Sequence, residues 1–210
     1  HIDKLVADVE GLIAASGAKE TLLIAHDWGA VIAWMCAIRK IRTLSKLVIM
    51  NVPHPSCFAE NLRGNVRQLR RSWYIFFFQI PWLPEASLRA RGAKAVGDAF
   101  TNMAVDKSRF PKEVLDVYRA NALEPGGLKA MINYYRAAFR AGSKVMQPQP
   151  ATVDVPTLML WGEEDAALGK ELTLDTHKYV PELTLRYLPR VSHWVQQEAP
   201  ETANAMLEAW

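Results

Sequence analysis

The chain has 210 residues, of which 50% are hydrophobic and 22% charged, a composition typical of one globular domain and not of a disordered tail. The net charge of +3 is too small to indicate nucleic acid as a partner, and no apolar run approaches the roughly 20 residues of a membrane span. Two cysteines, Cys36 and Cys57, exclude a disulfide framework and a four-thiolate metal site. We therefore expect a cytoplasmic location and leave a small organic substrate open.

Regular elements follow one another in a pattern typical of a parallel sheet. An amphipathic helix opens the chain and Gly17 marks its end. Short apolar runs at residues 21–25 and 46–50 flank a helical stretch, and the first run is bounded like a buried strand. Such a βαβ unit makes its two strands parallel. Two more runs, at residues 157–161 and 183–188, precede a last helix opened by Pro200, so the predicted fold class is α/β.

About 100 residues separate the second predicted strand from the third, and they show helical periodicity without a convincing strand. Helical pieces are predicted at residues 67–78, 111–122 and 127–140, with proline and glycine breakers between them. Because ligands bind at the carboxyl ends of parallel strands, such an insertion can roof a site. We therefore predict a core formed by residues 1–55 and 151–210, and a helical cap insertion formed by residues 56–150.

The strongest local signal lies where the first strand turns into the next helix, at Ala25-His26-Asp27-Trp28-Gly29. Small residues at both ends suit a strained elbow that projects its central side chain into a pocket. That side chain is a carboxylate, which can attack an electrophilic carbon and form an ester. The alternative is that Asp27 serves as a helix N-cap, a position that Asp favours.

Two later residues complete a candidate catalytic triad. Asp165 lies a few residues after the third predicted strand and His193 lies just after the fourth, which is the chain order of hydrolase triads built on this kind of sheet. His193 could deprotonate the water that hydrolyses an ester on Asp27, while Asp165 orients the imidazole. Glu163 and Glu164 are alternatives for the acid. A single loop histidine is more often structural, but three ordered residues favour catalysis.

Six segments carry a resemblance to a known family: residues 26–29, 51–55, 77–82, 133–136, 161–165 and 192–194. Together they resemble the α/β-hydrolase-fold epoxide hydrolases, in particular the branch with the animal epoxide hydrolases 3 and 4. The resemblance implies an α/β-hydrolase fold in which Asp27 attacks an oxirane carbon, and Asp165 and His193 then hydrolyse the ester to a vicinal diol. It implies an apolar epoxide and water as reactants, with no metal or organic cofactor.

Opening an epoxide also requires an acid at its oxygen, because a bare alkoxide is a poor leaving group. The family carries two tyrosines in its cap for this purpose, and the matching positions are Tyr74 and Tyr135. Tyr134 is a neighbour that would point about 100° away on a helix, so we choose Tyr135. The alternative is that the aromatic side chains simply pack the cap.

Trp28 leaves two chemistries open. Its backbone N–H, directly after the candidate nucleophile, is expected to stabilise the oxyanion when water attacks the ester. In the related haloalkane dehalogenases the side chain at this position instead helps to bind halide. The two cap tyrosines favour an epoxide hydrolase, because halide leaves without protonation. A non-catalytic ligand-binding protein with the same fold is the alternative from a different class.

Two features depart from or add to the family pattern. No His-Gly-x-Pro segment occurs in the sequence, and the chain begins at His1, so we expect an α/β-hydrolase fold that lacks its N-terminal strands. That segment supplies an oxyanion donor, whose loss costs about 10² to 10³ in rate, so we expect little activity from these residues alone.

Basic residues are frequent in the first half of the insertion: Arg63, Arg67, Arg70, Arg71, Arg89, Arg91 and Lys94. Such residues more often form a solvated face, but they also suggest contact with an anionic membrane.

Overall fold

A four-stranded parallel sheet lies at the centre of the part of the protein that the structure describes. The structure, a computed structural model, describes residues 1–41, 44–62, 64–146 and 152–210. The strands pair side by side in chain order: β1 (Thr21–His26), β2 (Leu44–Met50), β3 (Thr157–Gly162) and β4 (Leu183–Leu188). The predicted α/β class with a parallel sheet is therefore confirmed.

Helices make up most of the remaining described chain. In chain order they are α1 (Ile2–Ser16), α2 (Asp27–Ile38), α3 (Pro55–Leu62), α4 (Val66–Arg71), α5 (Trp73–Phe77), α6 (Leu83–Met103), α7 (Lys112–Leu123), α8 (Gly127–Met146), α9 (Val195–Glu198) and α10 (Pro200–Glu208). Short 3₁₀ turns lie at Lys107–Arg109, Lys170–Thr173 and Thr176–Lys178. Helices α3 to α8 all lie between β2 and β3 in the sequence, and we call them the helical insertion.

The helical insertion differs from the sequence prediction at two places. The helix predicted at residues 67–78 is divided at Ser72 into α4 and α5. Helix α6 was not predicted, since Pro81 and Pro84 were interpreted as breakers. Pro84 instead lies in the first turn of α6, where a missing backbone N–H costs no helical hydrogen bond.

The central strands β2 and β3 are covered on both faces. Leu47 and Ile49 of β2 pack with residues of α1 and α2, whereas the alternate residues Val48 and Met50 pack in a cluster that includes Ala203 of α10. Successive residues of a strand point to opposite faces, so this division places helices on both sides of the sheet. The fully buried residues of α2 include Trp34 and are consistent with its central position.

Strand β1 is not the fully buried strand that the sequence predicted. Leu22 and Ile24 are exposed by 48% and 47%, while the intervening residues are partly buried. Among the described strands β1 pairs with β2 alone, and the face that carries Leu22 and Ile24 is open to solvent. The apolar run alone could not reveal this, because burial of a strand depends on which elements pack against it.

The carboxyl ends of the strands lie in register at one edge of the sheet. His26, Met50 and Leu160 are neighbours across β1, β2 and β3. The residues that follow these strands therefore emerge on the same side, where a parallel sheet binds ligands. No helix among the described residues combines the length and the apolar character required to cross a bilayer.

Candidate active site

The turn from β1 into α2 holds Asp27 in a strained backbone conformation. Its φ of 48° lies in the left-handed region, which costs a non-glycine residue about 1–3 kcal/mol. The N-cap of α2 is His26, with an extended backbone, so the N-cap alternative for Asp27 is wrong. The Asp27 carboxylate accepts a hydrogen bond from the Trp28 backbone N–H, and 45% of its side-chain surface is accessible. The elbow therefore presents a carboxylate that a ligand can reach.

The structure brings the three residues of the predicted triad together. His193 Nδ1 lies 2.7 Å from Asp165 Oδ2, and His193 Nε2 lies 3.4 Å from Asp27 Oδ1. The imidazole is 4% exposed and Asp165 is 3% exposed, so both are shielded from water. His193 thus has one ring nitrogen for the buried acid and the other for the accessible carboxylate.

Asp165 is held by three further hydrogen bonds. Its Oδ1 accepts from the backbone N–H groups of Ala167 and Leu168 at 2.7 and 2.9 Å, and Asn51 Nδ2 donates to its Oδ2 at 2.8 Å. The alternative acid Glu163 instead pairs with Lys170 at the surface. Asn51 was missed by the sequence analysis as a functional residue; the available signal was a polar residue directly after a buried strand.

Charge interactions shift the pKa values of all three groups. Burial disfavours the charged form of His193, but Asp165 and Asp27 more than compensate and raise its pKa. Burial also opposes ionisation of Asp27, yet the hydrogen bond and charge of His193, with the Trp28 N–H, lower its pKa. The pKa of Asp165 is lowered in the same way, chiefly by His193 against the effect of burial. Both carboxylates are therefore ionised near neutral pH.

A cavity of about 410 Å³ is lined both by residues that follow the carboxyl ends of the strands and by residues of the helical insertion. Its lining includes Asp27, Trp28, Tyr74 and Tyr135. The rings of Tyr74 and Tyr135 lie 5.7 Å apart, and the Tyr135 ring meets the Trp28 ring edge-on at 5.1 Å. Tyr134 contacts Trp28 at 5.5 Å but does not line the cavity. Both predicted tyrosines thus line the same cavity as the Asp27 carboxylate.

The two cavity tyrosines keep their protons over a wide pH range. Burial raises the pKa of Tyr74, and the nearby Tyr135 and Asp27 raise it further. Burial followed by the charge of Asp27 likewise raises the pKa of Tyr135. Each hydroxyl can therefore donate a hydrogen bond to a ligand oxygen in the cavity. Among the described residues no group of three His, Cys, Asp or Glu side chains is arranged to hold a metal ion.

Comparison with known proteins decides the family. A model of the Alpha/beta hydrolase family matches residues 1–205. The chain belongs to this family. The chain is similar to the AB hydrolase superfamily protein YfhM of Bacillus subtilis, with 34% identity over 207 residues that cover 99% of this chain and 71% of that protein.

Epoxide hydrolases are prominent among the relatives, which confirms the resemblance seen in the sequence. Epoxide hydrolase 4 of Mus musculus is 35% identical over 214 residues, covering 100% of this chain and 58% of that protein. The chain thus spans less than two thirds of that relative. The crystal structure of Bacillus megaterium epoxide hydrolase in complex with an inhibitor has a TM-score of 0.89 at 26% identity, covering 99% of this chain and 75% of that one. A mutant of the same enzyme is complexed with its product (R)-3-[1]naphthyloxy-propane-1,2-diol, with a TM-score of 0.89 and 26% identity over 100% of this chain and 75% of that one.

Two residues that the sequence analysis missed as functional residues fix the loop that carries His193. His26 Nε2 lies 2.8 Å from the His193 carbonyl oxygen and donates to it. Burial, followed by the charge of His193, lowers the pKa of His26 to about 4, so its ring is neutral. From the other side, Glu198 accepts hydrogen bonds from the Ser192 backbone N–H at 3.0 Å and from its hydroxyl at 2.6 Å. The sequence signal for His26 was its place directly before Asp27 in segment 26–29, whereas nothing in the sequence singled out Glu198.

Arg136 fixes the two cavity tyrosines relative to each other. It follows Tyr135 on α8 and donates hydrogen bonds to the carbonyl oxygens of Phe78 and Ile80, both at 2.8 Å. Its guanidinium also forms a two-point ion pair with Glu85. Since α5 carries Tyr74 just before these carbonyl groups, Arg136 connects the two tyrosine-bearing elements.

Proposed function

We propose that the protein is an epoxide hydrolase that converts an apolar epoxide to a vicinal diol through an ester on Asp27. The observation that carries the proposal is that His193 lies between Asp165 and an accessible Asp27, and that Asp27 lines one cavity together with Tyr74 and Tyr135. In this proposal residues 56–150 form the cap over the site. The similarity to epoxide hydrolases in sequence and structure supports it.

The first half-reaction forms the ester. An ionised oxygen of Asp27 attacks one oxirane carbon, and the bond from that carbon to the epoxide oxygen breaks. The released oxygen accepts a proton from Tyr74 or Tyr135, while the other hydroxyl stabilises it with a hydrogen bond. The lowered pKa of Asp27 and the raised pKa values of the tyrosines keep the nucleophile charged and the acids protonated at the same pH.

The second half-reaction regenerates the carboxylate. His193 Nε2 removes a proton from water, and the resulting hydroxide attacks the ester carbonyl carbon of Asp27. The Trp28 N–H, which contacts the carboxylate in the free protein, stabilises the oxyanion. Asp165 holds the imidazole and balances its charge. The tetrahedral intermediate collapses and releases the diol oxygen, which takes the proton from the His193 imidazolium. The second proton of the water remains on the regenerated Asp27 carboxyl group and passes to the tyrosinate, so that Asp27 is again a carboxylate and both tyrosines are again protonated.

The cavity favours an apolar substrate. Its lining includes the side chains of Val31, Leu69, Ile75, Phe76 and Phe139. The naphthyl diol bound to the similar Bacillus megaterium enzyme supports an aryl or alkyl epoxide as the substrate class.

The proposed location of the protein is the cytoplasm. The two buried free thiols, Cys36 and Cys57, support such a reducing compartment.

Trapping the ester tests the proposal. In a His193→Gln variant the base is removed while Asp27, Tyr74 and Tyr135 remain, so incubation with styrene oxide should add one epoxide mass to the peptide that contains Asp27. Mass spectrometry of the digested protein measures this. Asp27→Asn in the same background is the matched control and should remain unmodified. Bound epoxide without an adduct would overturn the proposal in favour of a binding protein, and halide release from an alkyl halide without epoxide opening would indicate a dehalogenase.

The same trapping experiment measures how much Tyr74 and Tyr135 accelerate the formation of the ester. Tyr74→Phe or Tyr135→Phe in the His193→Gln background should slow adduct formation by about 10² to 10³, the usual effect of removing one donor from a developing oxyanion. Tyr134→Phe is the control, since Tyr134 does not line the cavity, and should leave the rate nearly unchanged. An adduct rate that is insensitive to both cavity tyrosines would contradict the acid role.

A further inference from the structure

Apolar side chains are exposed along α4 and α5 of the helical insertion. Val66, Leu69, Trp73 and Phe76 are exposed by 61%, 40%, 63% and 54%. Successive members of this set are separated by three or four residues, so they follow one side of the two consecutive helices. Large exposed aromatic side chains in a cluster mark an interaction surface more often than isolated ones do.

The same surface is basic. Arg67 and Arg70 are exposed on α4, and no Asp or Glu occurs between Glu60 and Glu85 in the sequence. Burial has the largest effect on Glu171 and raises its pKa, but hydrogen bonds and then the charges of Arg71 and Arg67 lower that pKa below its usual value. Arg63 lies outside the described residues. The surface therefore combines arginines with aromatic and aliphatic side chains, the composition of segments that bind at a lipid interface.

The exposed surface is also the rim of the cavity. Leu69, Phe76 and Phe139 all line the cavity, and each is at least 40% exposed. The Phe76 and Phe139 rings lie 6.3 Å apart and connect α5 to α8 across this rim. An apolar ligand that reaches this surface could therefore enter the cavity past apolar side chains.

We propose that α4 and α5 dock on an anionic lipid membrane and that the cavity takes its epoxide from that lipid phase; this rests on the proposed function. The arginines match the negative surface potential of anionic lipids, and Trp73 and Phe76 insert among the headgroups. An apolar epoxide partitions into the bilayer, so docking raises its concentration at the rim.

Vesicle co-sedimentation tests the docking, with phosphatidylcholine vesicles prepared with and without phosphatidylserine. We expect binding to the anionic vesicles that weakens with added salt. Arg67→Gln with Arg70→Gln should weaken it by about 25-fold, on the basis of about 1 kcal/mol per basic residue. Trp73→Ser should weaken it by about tenfold. Matched controls are Arg186→Gln, at an exposed position of β4, and Leu12→Ser, at a side chain 72% exposed on α1; both should bind as the parent does.

A second measurement separates this proposal from the proposed function. None of Arg67, Arg70 and Trp73 lines the cavity, so their variants should alkylate Asp27 at the parent rate with a water-soluble epoxide in the His193→Gln background. Alkylation without vesicle binding would overturn the docking and leave the epoxide hydrolase standing. Vesicle binding without alkylation would overturn the epoxide hydrolase, and with it the uptake of an epoxide from the lipid, and leave only the docking. Concentration-dependent dimerisation that Trp73→Ser abolishes, without vesicle binding, would assign the surface to a second copy and overturn the lipid partner.

Discussion

His193 contacts two carboxylates whose charges change differently during the proposed reaction. Asp165 remains ionised throughout, whereas Asp27 loses its charge when it becomes an ester. Both carboxylates raise the pKa of His193 in the free protein. Formation of the ester therefore removes one of these two effects, and the pKa of the imidazole falls when it is needed as a base.

This coupling predicts different pH dependences for the two half-reactions. Alkylation requires ionised Asp27, whose lowered pKa keeps its rate constant flat from neutral into mildly acidic pH. Ester hydrolysis requires neutral His193, so its rate constant should fall as the pH drops below the pKa of the imidazole in the ester. Rapid-mixing measurements of adduct formation and diol release across pH would show ester accumulating on the acid side.

Asp165→Asn provides the control for this prediction. Removing the second negative charge lowers the pKa of His193 further, so the acid limb of hydrolysis should move to lower pH even as the maximum rate falls. Identical pH profiles for the two half-reactions would contradict the assignment of His193 as the base for hydrolysis alone.

At the scale of the elements, the site depends on how closely β3 passes the loop that carries His193. A Cβ atom on Gly162, the last residue of β3, would lie 2.1 Å from the Ser192 carbonyl oxygen. Asn51 holds both sides of this position, since its side chain accepts from the Gly162 N–H at 2.8 Å and donates to the Gly162 carbonyl oxygen at 3.3 Å. Only glycine allows this approach.

Gly162→Ala should therefore both destabilise the protein and displace His193. The clash is with backbone, which cannot move aside as a flexible side chain can, so we expect the free energy of unfolding to fall by about 1–3 kcal/mol. Denaturant titration measures this, and diol release should slow more than ester formation. Gly11→Ala on α1, where a Cβ meets nothing within 4 Å, is the matched control and should raise stability by roughly 0.5–1 kcal/mol. Equal changes in the free energy of unfolding for Gly162→Ala and Gly11→Ala would contradict the prediction, because the close approach of Gly162 to the Ser192 carbonyl oxygen would then not require glycine.

At the scale of the whole molecule, one buried carboxylate connects the helical insertion to the sheet. Glu198 accepts from the Val105 backbone N–H, which follows α6, at 3.1 Å, and from Ser192 in the loop that carries His193. It is 6% exposed. A second connection, between Arg109 and Glu201 at 3.4 Å, lies at the surface with the Glu201 side chain 72% exposed.

Glu198→Gln should weaken this connection because an amide has one acceptor oxygen where the carboxylate has two. At least one buried donor loses its partner, which lowers the free energy of unfolding by about 1–3 kcal/mol. Because His193 serves only the second half-reaction, the ratio of ester hydrolysis to alkylation should also fall. Denaturant titration and the two rate constants measure these effects. Glu201→Gln is the matched control and should change the free energy of unfolding by less than about 1 kcal/mol. If the ratio of ester hydrolysis to alkylation did not change in Glu198→Gln, Glu198 would stabilise the fold without positioning His193.

The sequence by itself determined the elements and the order of the candidate residues. Apolar periodicity predicted the parallel strands and most helices, because local pattern follows the geometry of each element. The elbow after the first strand and the order of residues along the chain singled out Asp27, Asp165 and His193, and the resemblance to epoxide hydrolases added Tyr74 and Tyr135.

Only the tertiary structure decided what surrounds those residues. Asn51 reaches Asp165 across 114 positions, and His26 reaches His193 across 167, so no local pattern could assign either contact. The exposed face of β1 and the apolar rim along α4 and α5 were likewise decided by packing. Burial and long-range hydrogen bonds depend on which elements meet in space, whereas periodicity records only the shape of one element at a time.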